Sequence, residues 1–316
     1  MKLKSHFPHR LRNVLDQYLI DNCLRGVFKT NPVDAASPHA AMFEVHLLLR
    51  NADAFCGLVA LKSLLRNQEV HAAVSITDDG SVTASRRRLI DQHIRNIRWL
   101  PRYCDSPELT NELIRRPQLH RLYKSNFHMI AKLIHPIVLG RCEAMIAIDA
   151  DVAFLLPPSK ILDWASRRHA DGMYLHDHIS RNTEVLWLEG MLAELTASRS
   201  DLFYRTKLDH AFFNAGLLCF LRSACRLDAA EHFLEWRSTT SSYSQSPLAE
   251  VWLGDWTQEQ TAYLCIFLAM HNQPQGLGAD YRIGGSPWST FHHFLRAGLV
   301  TREVQERLRM LVSELA

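Results

Sequence analysis

Several features are missing from this 316-residue chain, and each absence removes a class of protein. No apolar run approaches the roughly 20 residues of a transmembrane helix. The N-terminus is basic but has no continuous hydrophobic stretch of a signal peptide. The seven cysteines (23, 56, 104, 142, 219, 225 and 265) are odd in number, widely spaced and never form C-x-x-C. Neither a disulfide framework nor a zinc ribbon is expected, and a reducing, cytoplasmic setting fits. There is no excess of one charge either. Lys and Arg number 36 against 33 Asp and Glu, a net +3, which excludes a dedicated nucleic-acid binder. What remains is 47% hydrophobic residues, enough for one large α/β domain with additions or two small domains.

Residues 8 to 28 carry an amphipathic pattern, with Leu11, Val14, Leu15, Tyr18, Leu19, Leu24 and Val27 on one side and Lys2, Lys4, Arg10 and Arg12 crowding the start. The pattern predicts a helix that packs on the main domain, with peripheral membrane contact as the other reading. Thr30 to Pro38 reads as a linker, so residues 1–41 form a helix plus linker and 42–316 the main domain. A strand at Phe43 to Leu49, a helix at 54 to 66, a strand at His71 to Thr77, a helix at 84 to 95 and a strand at Ile97 to Leu100 then alternate. Alternation predicts an α/β fold, a Rossmann-like, mostly parallel sheet with helices on both faces. One helix is expected from Leu119 to His135. Beyond Pro157-Pro158 the pattern gives a helix at 159 to 168, strands at Gly172 to Leu175 and Ala211 to Leu221, and a helix at 184 to 196. Ser238 to Pro247 reads as a loop or lid, followed by a helix from Trp256 to Met270, a strand at Ser286 to Phe294 and a helix at 301 to 315.

The chemistry concentrates in residues 144 to 156, where Asp149 and Asp151 leave an otherwise apolar strand. With 18 Asp in the chain, roughly one Asp-x-Asp arises by chance, so only the context carries meaning. Residues i and i+2 of an extended chain share a face, which aims both acids into the crevice beyond the strand ends. Paired carboxylates repel unless a cation separates them, so the pattern predicts a divalent-metal site of the kind that holds a diphosphate. Asn51, Asp78 and Asp79 stand at two other strand exits on the same rim. Lys132 recurs with Lys124 and His128 at i, i+4, i+8, near the helix end that feeds the acidic strand. His176-Asp177-His178 are metal ligands by type but ordinary loop polarity by position. Asn214-Ala215-Gly216 interrupts a buried strand, and glycine there allows a bulge or a close approach.

In this order the parts resemble the metal-dependent nucleotide-sugar glycosyltransferases of the GT-A fold, across roughly residues 42 to 295. The resemblance implies that Asp151 binds Mn²⁺ or Mg²⁺ directly, that Asp149 and Ala150 lie beside metal and ribose, and that His293 or His292 closes the metal shell. His293 is favoured because it shares a strand face with Phe291. Asn51, Asp78 and Asp79 would hold the base, and Lys132 would face the diphosphate or donor sugar. Asn214, Ala215 and Gly216 would line that sugar, with Glu259, Gln260 and Lys132 at catalytic positions. The implied partners are a UDP- or GDP-sugar donor and a glycan, lipid-linked or protein acceptor. An inverting enzyme needs a carboxylate base, for which Glu259, Asp177 and Asp255 are candidates; a retaining one does not. In the glycogenin-like branch a lysine-containing motif accompanies the late histidine, whereas here Ser286-Pro287-Trp288 precedes His292 and His293.

Three other readings are weaker. A phosphatase of the haloacid dehalogenase type needs Thr or Val four positions after the first Asp, where this chain has Ala153. A nucleotidyltransferase needs a glycine-rich loop, and Arg50-Asn51-Ala52-Asp53 has no glycine. A catalytically silent sugar- or partner-binding domain differs only in releasing no diphosphate.

Overall fold

A computed structural model describes residues 18, 22–67, 69–168, 170–176, 182–208, 213–239, 253–254, 257–283, 289–293 and 302–315. In chain order, the strands are β1 (Val33–Asp34), β2 (Phe43–Leu49), β3 (Ala72–Asp78), β4 (Ile94–Arg95), β5 (Arg98–Pro101), β6 (Ala144–Ile148), β7 (Val152–Phe154), β8 (Gly172–His176), β9 (Phe213–Leu221), β10 (Gln275–Gly276), β11 (Tyr281–Ile283) and β12 (Phe291–His293). The α-helices are α1 (Ala54–Leu65), α2 (Ala84–His93), α3 (Pro107–Ile114), α4 (Pro117–Lys124), α5 (Ile130–Val138), α6 (Ser159–Arg167), α7 (Asn182–Ala197), α8 (Leu227–Thr239), α9 (Gln258–Leu268) and α10 (Arg302–Glu314). No helix among the described residues is long and apolar enough to cross a membrane.

The main sheet runs β5-β3-β2-β6-β9-β8-β11-β12-β7, with β10 beside β8. It is mostly parallel, as alternation predicts; β9 runs against both its neighbours, and the edge strand β7 runs against β12. Both faces are covered. Alternate residues of β6 divide between two apolar cores, Ala144, Ile146 and Ile148 facing one and Met145 and Ala147 the other. The first core is closed by α1, α6 and α10, the second by α4, α5, α8 and α9. Because each face buries its own side chains, β2 reads as a continuous run buried at every position rather than as alternation.

Two elements differ from the sequence pattern. The expected helix from Leu119 to His135 is broken into α4 and α5. Ser125 takes an extended backbone conformation (ψ −177°), and its hydroxyl bonds the Leu122 carbonyl at 2.7 Å, which ends α4 and frees residues 125–129 to form a corner. The stretch from Thr30 to Pro38 is not a free linker: β1 pairs with β4, and Leu24, Val27 and Ala35 belong to the first core. Of the predicted helix at 8 to 28, most lies outside the described residues, and its last turn is a 3₁₀ helix, Arg25–Lys29.

Lys62 on α1 anchors this stretch. Fully buried, it donates to Thr30 Oγ1 and, at 2.5 Å, to the Asn31 carbonyl, with no carboxylate paired to it among the described residues. Burial lowers its pKa from 10.5 to about 8. A cation whose folded pKa is depressed contributes stability above its unfolded value, and that contribution is lost as pH falls through the folded value. Urea unfolding of wild type should therefore gain stability relative to Lys62→Met as pH rises from 8 toward 10.5. Parallel pH profiles for the two proteins would contradict this.

Candidate functional site

The site forms where β2, β3 and β6 end and the reversed strand β9 begins. Between Tyr174 and Leu175 of β8 the register on β9 jumps from Leu218 to Asn214, leaving a bulge around Ala215 and Gly216. The bulge releases backbone groups from the ladder. The Ala215 carbonyl accepts from Lys132 Nζ at 2.8 Å, and the Gly216 carbonyl accepts from the Asp149 amide at 3.0 Å. Asn214 Oδ1 accepts from the Gly216 amide at 2.7 Å, and Gln260 Oε1 from the Ala215 amide at 3.3 Å.

Asp149 and Asp151 follow β6, and His293 approaches them from β12. His293 Nε2 lies 3.4 Å from Asp149 Oδ2 and 3.2 Å from Asp151 Oδ1, and the three ligand atoms fall within 4.8 Å of one another. Both carboxylates are about a quarter exposed, whereas His293 is 3% exposed. Ligands at right angles on an ion with bonds of about 2.1 Å lie roughly 3 Å apart, so these separations fit a divalent cation. Two carboxylate oxygens and one imidazole are a donor set that could hold a divalent cation. Burial disfavours the His293 imidazolium, but Asp151 and then Asp149 outweigh it and raise the pKa.

Of the two adjacent histidines, His293 is the one beside the aspartates. His292 points to the opposite strand face, is fully buried, and is pushed by burial down to about 4, so it stays neutral. His293 reaches its place only because position 216 is glycine: a Cβ there would lie 2.5 Å from His293 Nδ1 and 2.8 Å from Asn214 Oδ1.

Lys132 is not part of a solvated stripe. It is 1% exposed and bonds Asp149 Oδ1 at 2.5 Å, with Glu259 Oε1 3.3 Å away on its other side. Burial works against the ammonium, yet the charges of Asp149 and Glu259 hold its pKa above the ordinary value. Glu259 is 4% exposed; burial, aided by Asp149 and opposed by Lys132, raises it to about 7. Glu259 thus sits behind Lys132, as its charge partner, while Gln260 is half-buried and nearer the bulge. Tyr263, one turn further along α9, donates to the Lys132 carbonyl at 2.7 Å; no pattern in the sequence marked it.

A cavity of about 540 Å³ opens beside the acids. Leu48, Phe127, Met129 and Ala150 supply its apolar wall, and Arg50, Asp53, Asn126, His128, Lys132, Asp149 and Asp151 its polar lining. The corner 125–129, made by the break between α4 and α5, supplies four of these residues, and that break had no signal in the helical periodicity. Asn51, Asp78 and Asp79 do not line the cavity. Asp78 Oδ1 accepts from the amides of Gly80 and Val82 at 2.7 and 3.1 Å, and Asp79 Oδ1 from the Ser81 amide at 2.9 Å. Asn51 Oδ1 accepts from the Thr83 amide at 3.1 Å. These three build the turns that shape the rim. Arg50 and Asp53, from the same exit as Asn51, face the cavity and pair with each other at 2.6 Å. Asp177, His178 and Asp255 lie outside the described residues.

A buried polar chain fixes the corner's two flanks. Tyr123 OH donates to the Arg102 carbonyl at 2.8 Å, so it accepts from His135 Nε2 at 3.0 Å. His135 Nδ1 must then accept from Thr77 Oγ1, and Thr77 Oγ1 from His46 Nε2, both at 2.8 Å. Burial lowers the pKa of both histidines, His135 to about 4, so the chain is neutral and ties α4 and α5 to β2 and β3.

No protein-family model and no curated protein sequence matches this chain. Solved structures similar to it include mouse xyloside xylosyltransferase 1 in its apo form, 12% identical over 83% of this chain and 98% of that one, TM-score 0.43. Others are core-mannan synthase A of Aspergillus fumigatus in a Mn/GDP form, 9% identical over 78% and 76%, TM-score 0.47, and the galactosyltransferase LgtC with donor and acceptor sugar analogs, 13% identical over 86% and 95%, TM-score 0.45. At such identities and scores the bearing on function comes from the site's own side chains.

Proposed function

We propose that this chain is a metal-dependent glycosyltransferase of the GT-A type that moves a sugar from a nucleoside-diphosphate sugar to a hydroxyl acceptor. The observation that carries the reading is the Asp149, Asp151 and His293 cluster at the mouth of the 540 Å³ cavity, where one divalent ion and one nucleotide fit side by side. Asp149, Asp151 and His293 would hold Mn²⁺ or Mg²⁺, which when bound neutralises the departing diphosphate. Lys132 fixes the Asp149 carboxylate through Oδ1 and the bulge through the Ala215 carbonyl. Glu259 keeps that lysine charged in a dry setting. The apolar wall and the polar edges of Arg50, Asp53, Asn126 and His128 suit a nucleobase and ribose, with uridine and guanosine both accommodated by size. Asn214 to Gly216 and the half-buried Gln260 face the donor-sugar side. The acceptor classes are a glycan, a lipid-linked sugar or a protein.

The test pairs binding with turnover. A UDP- or GDP-sugar at about 100 times its dissociation constant should stabilise the protein by about 2.7 kcal/mol with Mn²⁺ present and far less with chelator. Nucleoside diphosphate should be released in the samples that contain metal, the sugar passing to water or to an added acceptor. Equal stabilisation with and without metal would refute a metal-bridged diphosphate, and stabilisation without release would favour a silent binding domain.

A further inference from the structure

Of the three proposed metal ligands, Asp151 and His293 are carried by short strands near the edge of the sheet. The β7–β12 ladder is three residues long, β7 is an edge strand, and His293 stands opposite Val152, next to Asp151. Three ladder positions span only about 10 Å, so the far end of the pair governs how firmly the near end is held. At that far end the Leu155 amide donates to the Thr290 carbonyl at 2.8 Å, joining the two strands just before β12. The Leu155 carbonyl is then gripped twice, by Arg66 Nη2 at 3.0 Å from the end of α1 and by Arg307 Nη2 at 2.9 Å from α10. Glu314 closes the ring, bonding Arg66 Nη1 through Oε2 at 2.6 Å and Arg307 Nη1 through Oε1 at 2.7 Å.

Two guanidiniums, one carboxylate and one carbonyl thus form a closed cycle in which each arginine uses two of its nitrogens. Each guanidinium holds the carboxylate through Nη1 and the carbonyl through Nη2, so its plane is fixed at two points by charge-assisted hydrogen bonds. The arginines are largely buried, with side chains 19% and 13% exposed, while Glu314 is 40% exposed. Surface pairing alone at such a carboxylate contributes little stability. Its placement on the one carbonyl that terminates the ligand-bearing strand pair gives it another use.

We propose that Arg66, Arg307 and Glu314 are positioning residues for the metal site, making α10 a brace that holds Asp151 and His293 at ligand spacing. This rests on the reading of Asp149, Asp151 and His293 as metal ligands. Groups that orient ligands from one step away change metal affinity by about 10- to 100-fold when lost. The brace acts through backbone over several residues, so the lower end of that range applies, about 10-fold.

The experiment is titration of the full chain with Mn²⁺ alone, free ion being counted by electron paramagnetic resonance, alongside melting temperature in chelator. Wild type should bind one Mn²⁺ per chain and Asp151→Asn should not. Glu314→Gln, which keeps shape and removes charge, and Arg307→Met should each weaken Mn²⁺ binding about 10-fold. Asp228→Asn, which breaks the surface pair with Arg116, serves as the control that changes neither the site nor its brace. Unchanged Mn²⁺ affinity in both brace variants, with wild type binding and Asp151→Asn not, would overturn the brace and leave the metal site standing. Should Arg307→Met fail to fold, Glu314→Gln decides alone. Wild type that binds no Mn²⁺, or an Asp151→Asn protein that binds normally, would overturn the metal site and the brace together.

Discussion

Asp151→Asn should lower turnover at saturating Mn²⁺ by about 10²- to 10³-fold, the scale on which removing one electrostatic stabiliser acts. Folding should be unaffected. The carboxylate is about a quarter exposed and lies at the polar edge of the cavity, beside Asp149 and 3.2 Å from His293 Nε2. The substitution relieves repulsion from Asp149 but also removes a charge partner of His293, so the melting temperature of the metal-free protein should stay close to that of wild type. Product formation and melting in chelator check both halves. Near-normal turnover would remove Asp151 from the site.

Lys132→Met should act in the opposite way, on the fold first. The lysine is buried between Asp149 and Glu259, and methionine matches its length without its charge. Breaking a buried ion pair by removing one partner costs about 3–5 kcal/mol, because the remaining charge is left in a poorly solvated place. Urea unfolding in chelator would measure this. The double variant Lys132→Met with Glu259→Gln should recover part of the loss, since the amide carries no charge to strand. A single variant as stable as wild type would mean that Lys132 does not compensate Glu259.

The sequence made the sheet legible because its strands are buried on both faces and separated by helices of ordinary length. The residues 43–49 are continuous apolar surface apart from Glu44 and His46, and the alternation with helices left few topologies. Asp149 and Asp151 were legible for the same reason: acids at the end of such a strand stand out. Strand geometry required only that one of His292 and His293 face the acids, and His293 was favoured for sharing a face with Phe291. The corner 125–129 was not legible, since Lys124, His128 and Lys132 keep i, i+4, i+8 spacing across the break, and only the backbone-directed hydroxyl of Ser125 ends the first helix. Tyr263, and the pairing of Glu259 with Lys132, were hidden differently. Their partners, Lys132 and its carbonyl, lie far away in sequence, and long-range pairing of this kind leaves no local pattern. Asp78 and Asp79 stood on the expected rim, but a carboxylate that caps its own turn looks the same in sequence as one that waits for a ligand.

Position 216 is where the demands of a stable sheet and of the site part company. A glycine in the middle of a strand weakens it by roughly 0.5–1 kcal/mol relative to alanine through lost backbone entropy. Any search for more robust versions of this protein that scores strands by their residues would replace Gly216 first, with alanine or valine. The gain would come at the imidazole: with 2.5 Å to His293 Nδ1, the new side chain and the histidine cannot both keep their places. Stabilisation of this protein is therefore better sought away from β9, on faces that do not look toward the acids.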